Sequence, residues 1–284
     1  MTFREIWSYA EQILTEELSA EEARRDARLL IMYLLGISSA RFYTYTDYPF
    51  PENLEIPLMS ALQSRLTGMP LQYITQRQEF FGFSFAVGPG VLIPRPETEH
   101  LVEYALTLCD KGRIIRIADL GCGSCCIAIS LALTLPKEVK VQIEAIERAW
   151  KAVQWAQRNL EHHDVGHRVR LIHGDLEWTL QGKYDLLLSN PPYISSEALT
   201  TLPREIREFE PLEALNGGID GLSYYPILSD LAVRHLAPGG SLVLEVGIGQ
   251  SWRVSEILSQ SGLQDVHVID DYSGVTRIVA AKLP

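Results

Sequence analysis

An apolar run halted by two prolines constrains this chain most. Leu186-Leu187-Leu188-Ser189 reads as a buried strand, and Asn190-Pro191-Pro192-Tyr193 follows at once. Neither proline has an N–H to give to a sheet ladder, and each fixes its own φ. The strand stops there, and a stiff turn carries Asn190 and Tyr193 past its carboxyl end. In open α/β sheets that edge is where ligands bind. The side-chain oxygen of Asn190 and a backbone carbonyl such as that of Pro191 are two acceptors. Together they suit the two hydrogens of a planar NH2 group, an amide or an exocyclic amine, with Tyr193 as an aromatic wall. Asn-Pro is also an ordinary turn dipeptide, so the rest of the chain has to decide.

From Ile114 onward strands and helices alternate, which implies a parallel sheet covered by helices. Strands are expected at 114–120, 139–146, 169–173, 184–189 and 241–246, with two more in the tail at 265–270 and 276–283. Helices are expected at 125–134, 150–160, 223–235 and 251–260. Three of the strand ends carry one pattern. Asp119-Leu120-Gly121-Cys122-Gly123-Ser124 is a glycine turn into a helix, which lets backbone approach a ligand closely. Glu147 ends the second strand, where an acid accepts both hydroxyls of a ribose. Gly174-Asp175-Leu176 ends the third; Asp175 is placed to bond an adenine amino group and Leu176 to flank the ring. Each acid alone is as readily a turn residue; three in succession imply a ligand containing adenosine. The dinucleotide fingerprint fails, because Cys126 stands where G-x-G-x-x-G needs its last glycine.

The front of the chain differs. Residues 1 to about 75 read as helices: Phe3, Ile6, Trp7, Ala10, Ile13 and Leu14 have helical spacing, and Ser19 with Glu22 makes a capping box. Gly36 is a plausible stop, and a third helix is expected from Asn53 to Leu66. Such a bundle serves equally as a partner-contacting domain or a structural cap. Residues 76–94 read as a hairpin linker, one strand within Glu79–Val87, a turn at Gly88-Pro89-Gly90, and a return over Val91–Ile93. Pro94-Arg95-Pro96-Glu97-Thr98-Glu99 opens a helix; Arg95, Thr98 and Glu99 either cap it or border a site.

Net charge is −11, against a large duplex footprint, since such affinity comes mainly from Lys and Arg on phosphates. No apolar run nears the ~20 residues of a membrane helix, and Met1-Thr2-Phe3-Arg4-Glu5 opens no signal peptide. A cytoplasmic protein is expected. Among Cys109, Cys122, Cys125 and Cys126, the middle two have C-x-x-C spacing, but no second pair completes a zinc site. No metal is expected, and the interleaved glycines fit a ligand loop better than a redox motif.

Asp119-Leu120-Gly121-Cys122-Gly123, Glu147, Asp175 and Asn190-Pro191-Pro192-Tyr193 resemble class I S-adenosylmethionine-dependent methyltransferases acting on planar NH2 nitrogens. Leu92-Ile93-Pro94-Arg95-Pro96-Glu97-Thr98-Glu99, Phe209-Glu210-Pro211-Leu212-Glu213-Ala214-Leu215 and the helical front resemble the PrmC/HemK family, which methylates the glutamine amide in the Gly-Gly-Gln motif of peptide chain release factors. The resemblance implies an α/β fold with a Rossmann-like seven-stranded sheet behind an N-terminal helical bundle. It implies a substrate-recognition domain over 1–75, a hairpin linker over 76–94 and a methyltransferase domain over 95–284. S-adenosyl-L-methionine would be held by Gly121, Cys122, Gly123, Ser124 and Cys125 at the methionine end, Glu147 at the ribose and Asp175-Leu176 at the adenine. Asn190 would touch cofactor and substrate; Asn190, Pro191, Pro192 and Tyr193 would clamp the glutamine amide, with Asn190, Pro191 and Tyr193 as the catalytic set. The family's loop usually carries Gly where this chain has Cys125, and Thr or Ser at Cys122. Release factors would be the partners, with neither membrane nor direct nucleic-acid binding. Asp271, Gly274 and Arg277 are expected to close the last sheet edge. The rival readings are an adenine N(6)-methyltransferase acting on DNA or rRNA, which would need a basic groove, and a cofactor-binding adaptor without catalysis.

Overall fold

The computed structural model describes residues 1–109 and 115–284. The chain forms two compact units, Met1–Gln76 with Pro203–Phe209, and Arg77–Leu202 with Glu210–Pro284.

The first unit holds α1 (Phe3–Leu14), α2 (Ala20–Leu35), α3 (Ser39–Phe42), α4 (Glu55–Leu66) and α5 (Leu71–Thr75). Capping boxes start the first two helices. Glu5 N–H donates to Thr2 Oγ1 at 3.3 Å while Glu5 takes the Thr2 N–H at 2.8 Å. Ser19 and Glu22 repeat the exchange, and Gly36 ends α2 at φ 62°. Phe3, Leu14, Leu30, Ile31, Phe42 and Leu62 form its core. Inside it, the buried Asp26 accepts from Arg65 Nε at 2.8 Å and Arg25 Nε at 3.1 Å.

The second unit opens with a hairpin of β1 (Arg77–Phe80) and β2 (Phe83–Ala86). The chain reverses at Phe81-Gly82, both at positive φ (53° and 75°), a two-residue turn whose twist matches the strands. This corrects the expected return over Val91–Ile93, which is not a strand. The reversal buries Phe80 and Phe85 together, and Gly88 instead passes so close to Trp155 that a Cβ there would overlap its ring. The hairpin also packs as part of this unit: Asn159 accepts from Ala86 N–H at 2.6 Å and donates to Ala86 O at 3.0 Å.

The chain continues through α6 (Glu99–Leu108), β3 (Ile115–Leu120), α7 (Cys126–Thr134), β4 (Val141–Glu147), α8 (Trp150–His163), β5 (Val169–His173), α9 (Leu176–Thr179) and β6 (Tyr184–Ser189). Ile114, expected to begin the first of these strands, lies outside the described residues. After α10 (Arg204–Phe209), which belongs to the first unit, come α11 (Tyr224–His235), β7 (Leu236–Glu245), α12 (Ser251–Gln260), β8 (Gln264–Asp270) and β9 (Thr276–Lys282). The seven strands β3–β9 are ordered β5-β4-β3-β6-β7-β9-β8, and β9 runs opposite to the other six.

Both sheet faces are buried, so alternate residues serve different cores. Ile117, Leu186 and Leu188 pack with Leu101 and Ile127 on one face. Ala118 and Leu187 pack with Tyr225, Leu228 and Leu258 on the other. The strand order reverses between β3 and β6, which opens a crevice at their carboxyl ends.

Candidate active site

A cavity of about 500 Å³ occupies that crevice. On the β3 side, Gly121 N–H and Cys122 N–H both donate to Ile146 O, at 2.9 and 3.0 Å. Gly121 and Gly123 adopt φ of 75° and 55°, and Gly121 has open space where a Cβ would stand. These left-handed turns expose backbone to the cavity before α7 begins. Glu147, at the end of β4, ties the loop down: Oε2 accepts from Gly123 N–H at 2.9 Å and Oε1 from Ala149 N–H at 2.7 Å. Each oxygen keeps a lone pair for a ligand hydroxyl. Asp175 caps α9 through Glu177 N–H at 3.1 Å and lies 3.8 Å from Arg148. Leu176, Ile127, Val91 and Ala152 supply apolar wall.

Beneath the glycine loop, Asp119 Oδ2 accepts from Ala128 N–H at 3.2 Å. Burial raises its carboxyl to about 7; the Ala128 bond opposes this and the Glu147 carboxylate adds to it. A hydrogen bond with Cys125, and then burial, push the Cys122 thiol up, which leaves it a poor nucleophile.

On the β6 side, Ser189 Oγ donates to Leu120 O at 2.7 Å and locks the two strand ends together. Asn190 then projects into the cavity, and its Nδ2 donates to Thr98 Oγ1 at 3.0 Å. That bond turns Oδ1 away from Thr98. Thr98 ends a single 3-10 turn, Pro96–Thr98, and is buried. The segment before it is fastened by Glu210, which accepts from Ile93 N–H at 3.1 Å and pairs with Arg95. Glu99 fastens the segment after it by accepting from Phe81 N–H at 2.8 Å. The floor beyond Asn190 is joined to a second loop: Ile194 N–H donates to Leu215 O at 3.0 Å and Gly217 N–H to Ile194 O at 2.8 Å.

Of the residues expected from sequence, Gly121, Cys122, Gly123, Ser124, Glu147, Asp175, Leu176, Asn190, Pro191 and Pro192 line this one cavity. Two do not. Cys125 is the left-handed residue (φ 68°) capping α7, fully buried within the core. Tyr193 turns from the cavity: its hydroxyl donates to Glu245 Oε1 at 3.3 Å, and its ring joins the second apolar core. It braces the turn instead of walling the ligand space. Arg277 pairs with Asp271 at 3.0 Å and lies 3.7 Å from Glu97, outside the lining.

Thr98, expected either to cap a helix or to border a site, lines the cavity; Glu245 escaped sequence reading. Glu245 ends β7, is buried, and its carboxyl is raised to about 7. Burial is the main cause; the nearby Thr98 hydroxyl and the hydrogen bond from Tyr193 oppose it, Glu97 adds to it and Arg277 opposes it. No signal local to position 245 marks it, because its partners come from three distant segments.

A model described as PrmC N-terminal domain matches residues 5–75, and one described as Methyltransferase small domain matches residues 100–206. A Geobacter sulfurreducens protein named release factor glutamine methyltransferase is 38% identical over 284 residues, 99% of this chain and 97% of that protein. The chain belongs to the release factor glutamine methyltransferase family. A Moorella thermoacetica protein of the same name is 37% identical over 263 residues, 92% of each chain. Among solved structures, a methyltransferase from Pyrococcus furiosus matches with a TM-score of 0.53 at 22% identity, over 71% of this chain and 89% of that one. The T. thermophilus 16S rRNA N2 G1207 methyltransferase matches at 0.51 and 17%, over 73% and 50%. These two show the fold, that of class I methyltransferases. Membership of the release factor glutamine methyltransferase family makes the chain an enzyme of methyl transfer and accounts for a sheet edge carrying both a glycine loop and Asn-Pro-Pro-Tyr.

Proposed function

We propose that this chain transfers a methyl group from S-adenosyl-L-methionine to the side-chain amide nitrogen of the glutamine in the Gly-Gly-Gln motif of peptide chain release factors. The observation that carries this reading is Asn190: its amide is held by Thr98 so that an acceptor oxygen is left for the cavity, next to the rigid Pro191-Pro192 turn.

The cavity chemistry fits the donor. The Glu147 carboxylate suits a ribose diol, the Asp175 carboxylate an adenine amine, and the apolar wall the purine face. Glu147, Asp175, Glu177 and Glu213 outnumber Arg95 and Arg148 in the lining, which favours a cationic ligand. When bound, S-adenosyl-L-methionine supplies an electrophilic methyl group on a sulfonium. The protein's part is orientation. An amide nitrogen is a poor nucleophile because its lone pair is shared with the carbonyl. Asn190 Oδ1 and the Pro191 carbonyl accept its two hydrogens, which aims the nitrogen and stabilises positive charge as it develops there. The prolines keep this clamp stiff, so positioning supplies most of the acceleration. No strong base is required, because the nitrogen becomes acidic as its new bond forms. The helical front of the chain, residues 1–75, serves as the recognition domain for the release factor.

The test supplies labelled S-adenosyl-L-methionine to three substrates: a purified release factor, its Gly-Gly-Gln glutamine→alanine version, and undermethylated rRNA. Label on the unaltered factor alone is expected. Asn190→Ala should lower that rate by about 10²–10³-fold, the scale of losing one charge-stabilising contact, with folding preserved. Label on RNA, or equal label on the alanine version, would move the reading to an adenine methyltransferase.

A further inference from the structure

The Pro191 carbonyl is half of the amide clamp, and its direction is set by the backbone that carries it. The proline rings fix φ at 191 and 192 but leave ψ free. The turn is therefore stiff enough to aim that carbonyl only when both of its ends are held. Its entrance is held by Ser189 Oγ on Leu120 O at 2.7 Å. Its exit is Tyr193, and the backbone there is held by a side chain from far along the sequence.

That side chain is Gln250. It stands at the N-cap position of α12, where its carbonyl accepts from Val254 N–H at 3.0 Å. Val254 and Leu258 bury this helix in the second apolar core, which gives Gln250 a rigid base. Its amide joins three segments. Nε2 donates to Tyr193 O at 2.9 Å and to Gly221 O at 3.3 Å, while Oε1 accepts from Gly247 N–H at 3.0 Å. These partners fix the amide's orientation. Carbonyls only accept and a backbone N–H only donates, so a flipped amide would lose all three bonds. Two glycines make room for the junction. A Cβ at Gly221 would overlap Tyr193 O and stand 2.6 Å from Gln250 Nε2. One at Gly247 would stand 2.8 Å from Gln250 Oε1 and 3.1 Å from Tyr193 Cδ2. Gln250 itself lies outside the cavity lining.

We propose that Gln250 is a positioning residue for methyl transfer: by holding Tyr193 O it pins the exit of the Asn190–Tyr193 turn and fixes the direction of the Pro191 carbonyl. Once the exit is released, ψ at the two prolines is free to swing that carbonyl away from the substrate N–H. Misplacement by about 1 Å, even when caused far from the reacting atoms, costs a positioned reaction on the order of 10²-fold. The proposal rests on the proposed function, which assigns the Pro191 carbonyl to a substrate N–H.

The experiment measures methyl transfer to the release factor by the full-length enzyme, as wild type, Gln250→Glu and Gln250→Met, with S-adenosyl-L-methionine dissociation constants measured in parallel. Each assay runs below the unfolding transition of the variant concerned. Gln250→Glu keeps the shape and the acceptor for Gly247 N–H, but sets a second acceptor against Tyr193 O and Gly221 O. Gln250→Met keeps the length and removes donor and acceptor together. Both variants should lower kcat about 10–100-fold, while KM for the release factor and cofactor affinity change less than about threefold. A merely structural role in the Gly247 loop would leave Gln250→Glu near wild type, because the bond from Gly247 survives in it. A kcat loss below about tenfold in either variant, or a loss carried by KM or by cofactor affinity, would overturn the inference. Should one variant fail to bind the cofactor, the other is judged alone by the same criteria, and failure of both would overturn it. A wild-type enzyme that leaves the factor unlabelled is a separate result: it removes the proposed function, and the inference with it.

Discussion

Asp119 shows how far one residue at this sheet edge departs from its solution behaviour. The native protein holds its carboxyl proton up to about pH 7, whereas an ordinary Asp in the unfolded chain has lost it by then. Between those two values the folded state binds the extra proton. Stability from this group is therefore full below the ordinary carboxylate range and falls as pH rises through about 7. Asp119→Asn keeps an acceptor for the Ala128 N–H without the charge. Its melting temperature should exceed that of wild type near pH 8, with the difference shrinking as pH is lowered towards 5; thermal unfolding of the cofactor-free protein across pH measures this. The residues of the site were unequally legible. Glu147 and Asp175 stood out because each follows a short apolar run and so marks a strand end. Thr98 was legible only as a cap or a border, since its bond to Asn190 spans 92 positions. Tyr193 was misplaced as a wall because residue type does not say to which side a chain leaving Pro-Pro turns.

Among elements, the loop over 211–223 has as much to do with the site as the strands. A Cβ on Gly217 would stand 2.8 Å from both Pro192 O and Gly221 O, backbone atoms that cannot rotate away. Gly217→Ala should therefore displace the Pro192 turn, costing about 1–3 kcal/mol of stability. Its kcat should fall more than its cofactor affinity, as steady-state kinetics and calorimetry on one preparation would show. The strands themselves were readable, because Leu186, Leu187 and Leu188 are continuous apolar residues that only a sheet covered on both faces buries. The hairpin was not. Gly88-Pro89-Gly90 is the louder turn signal, yet Phe81-Gly82 makes the reversal, since pairing Phe80 with Phe83 leaves Phe80 and Phe85 in one core. The left-handed start of α7 at Cys125 was likewise hidden, because the sequence shows spacing and the backbone angle does not follow from spacing.

At the scale of the molecule, the two units carry separate stabilising devices. Asp26 is fully buried in the first, and Arg65 is its buried partner. Arg65→Ala leaves that carboxylate with only the half-exposed Arg25, a change that should cost about 3 kcal/mol. Every residue lining the cavity belongs to the second unit. The Arg65→Ala protein should thus melt earlier while binding S-adenosyl-L-methionine as wild type does, which differential scanning calorimetry and titration together would establish. Above both units stands the claim that the Asn190–Pro191 clamp selects one planar nitrogen. The direct measurement is fragmentation mass spectrometry of release-factor peptides after reaction with S-adenosyl-L-methionine and this enzyme. One methyl group on the side-chain nitrogen of the Gly-Gly-Gln glutamine is the expected result, absent from the Asn190→Ala reaction. A methyl group on any other residue, or an unmodified glutamine in a reaction that consumes the donor, would contradict it.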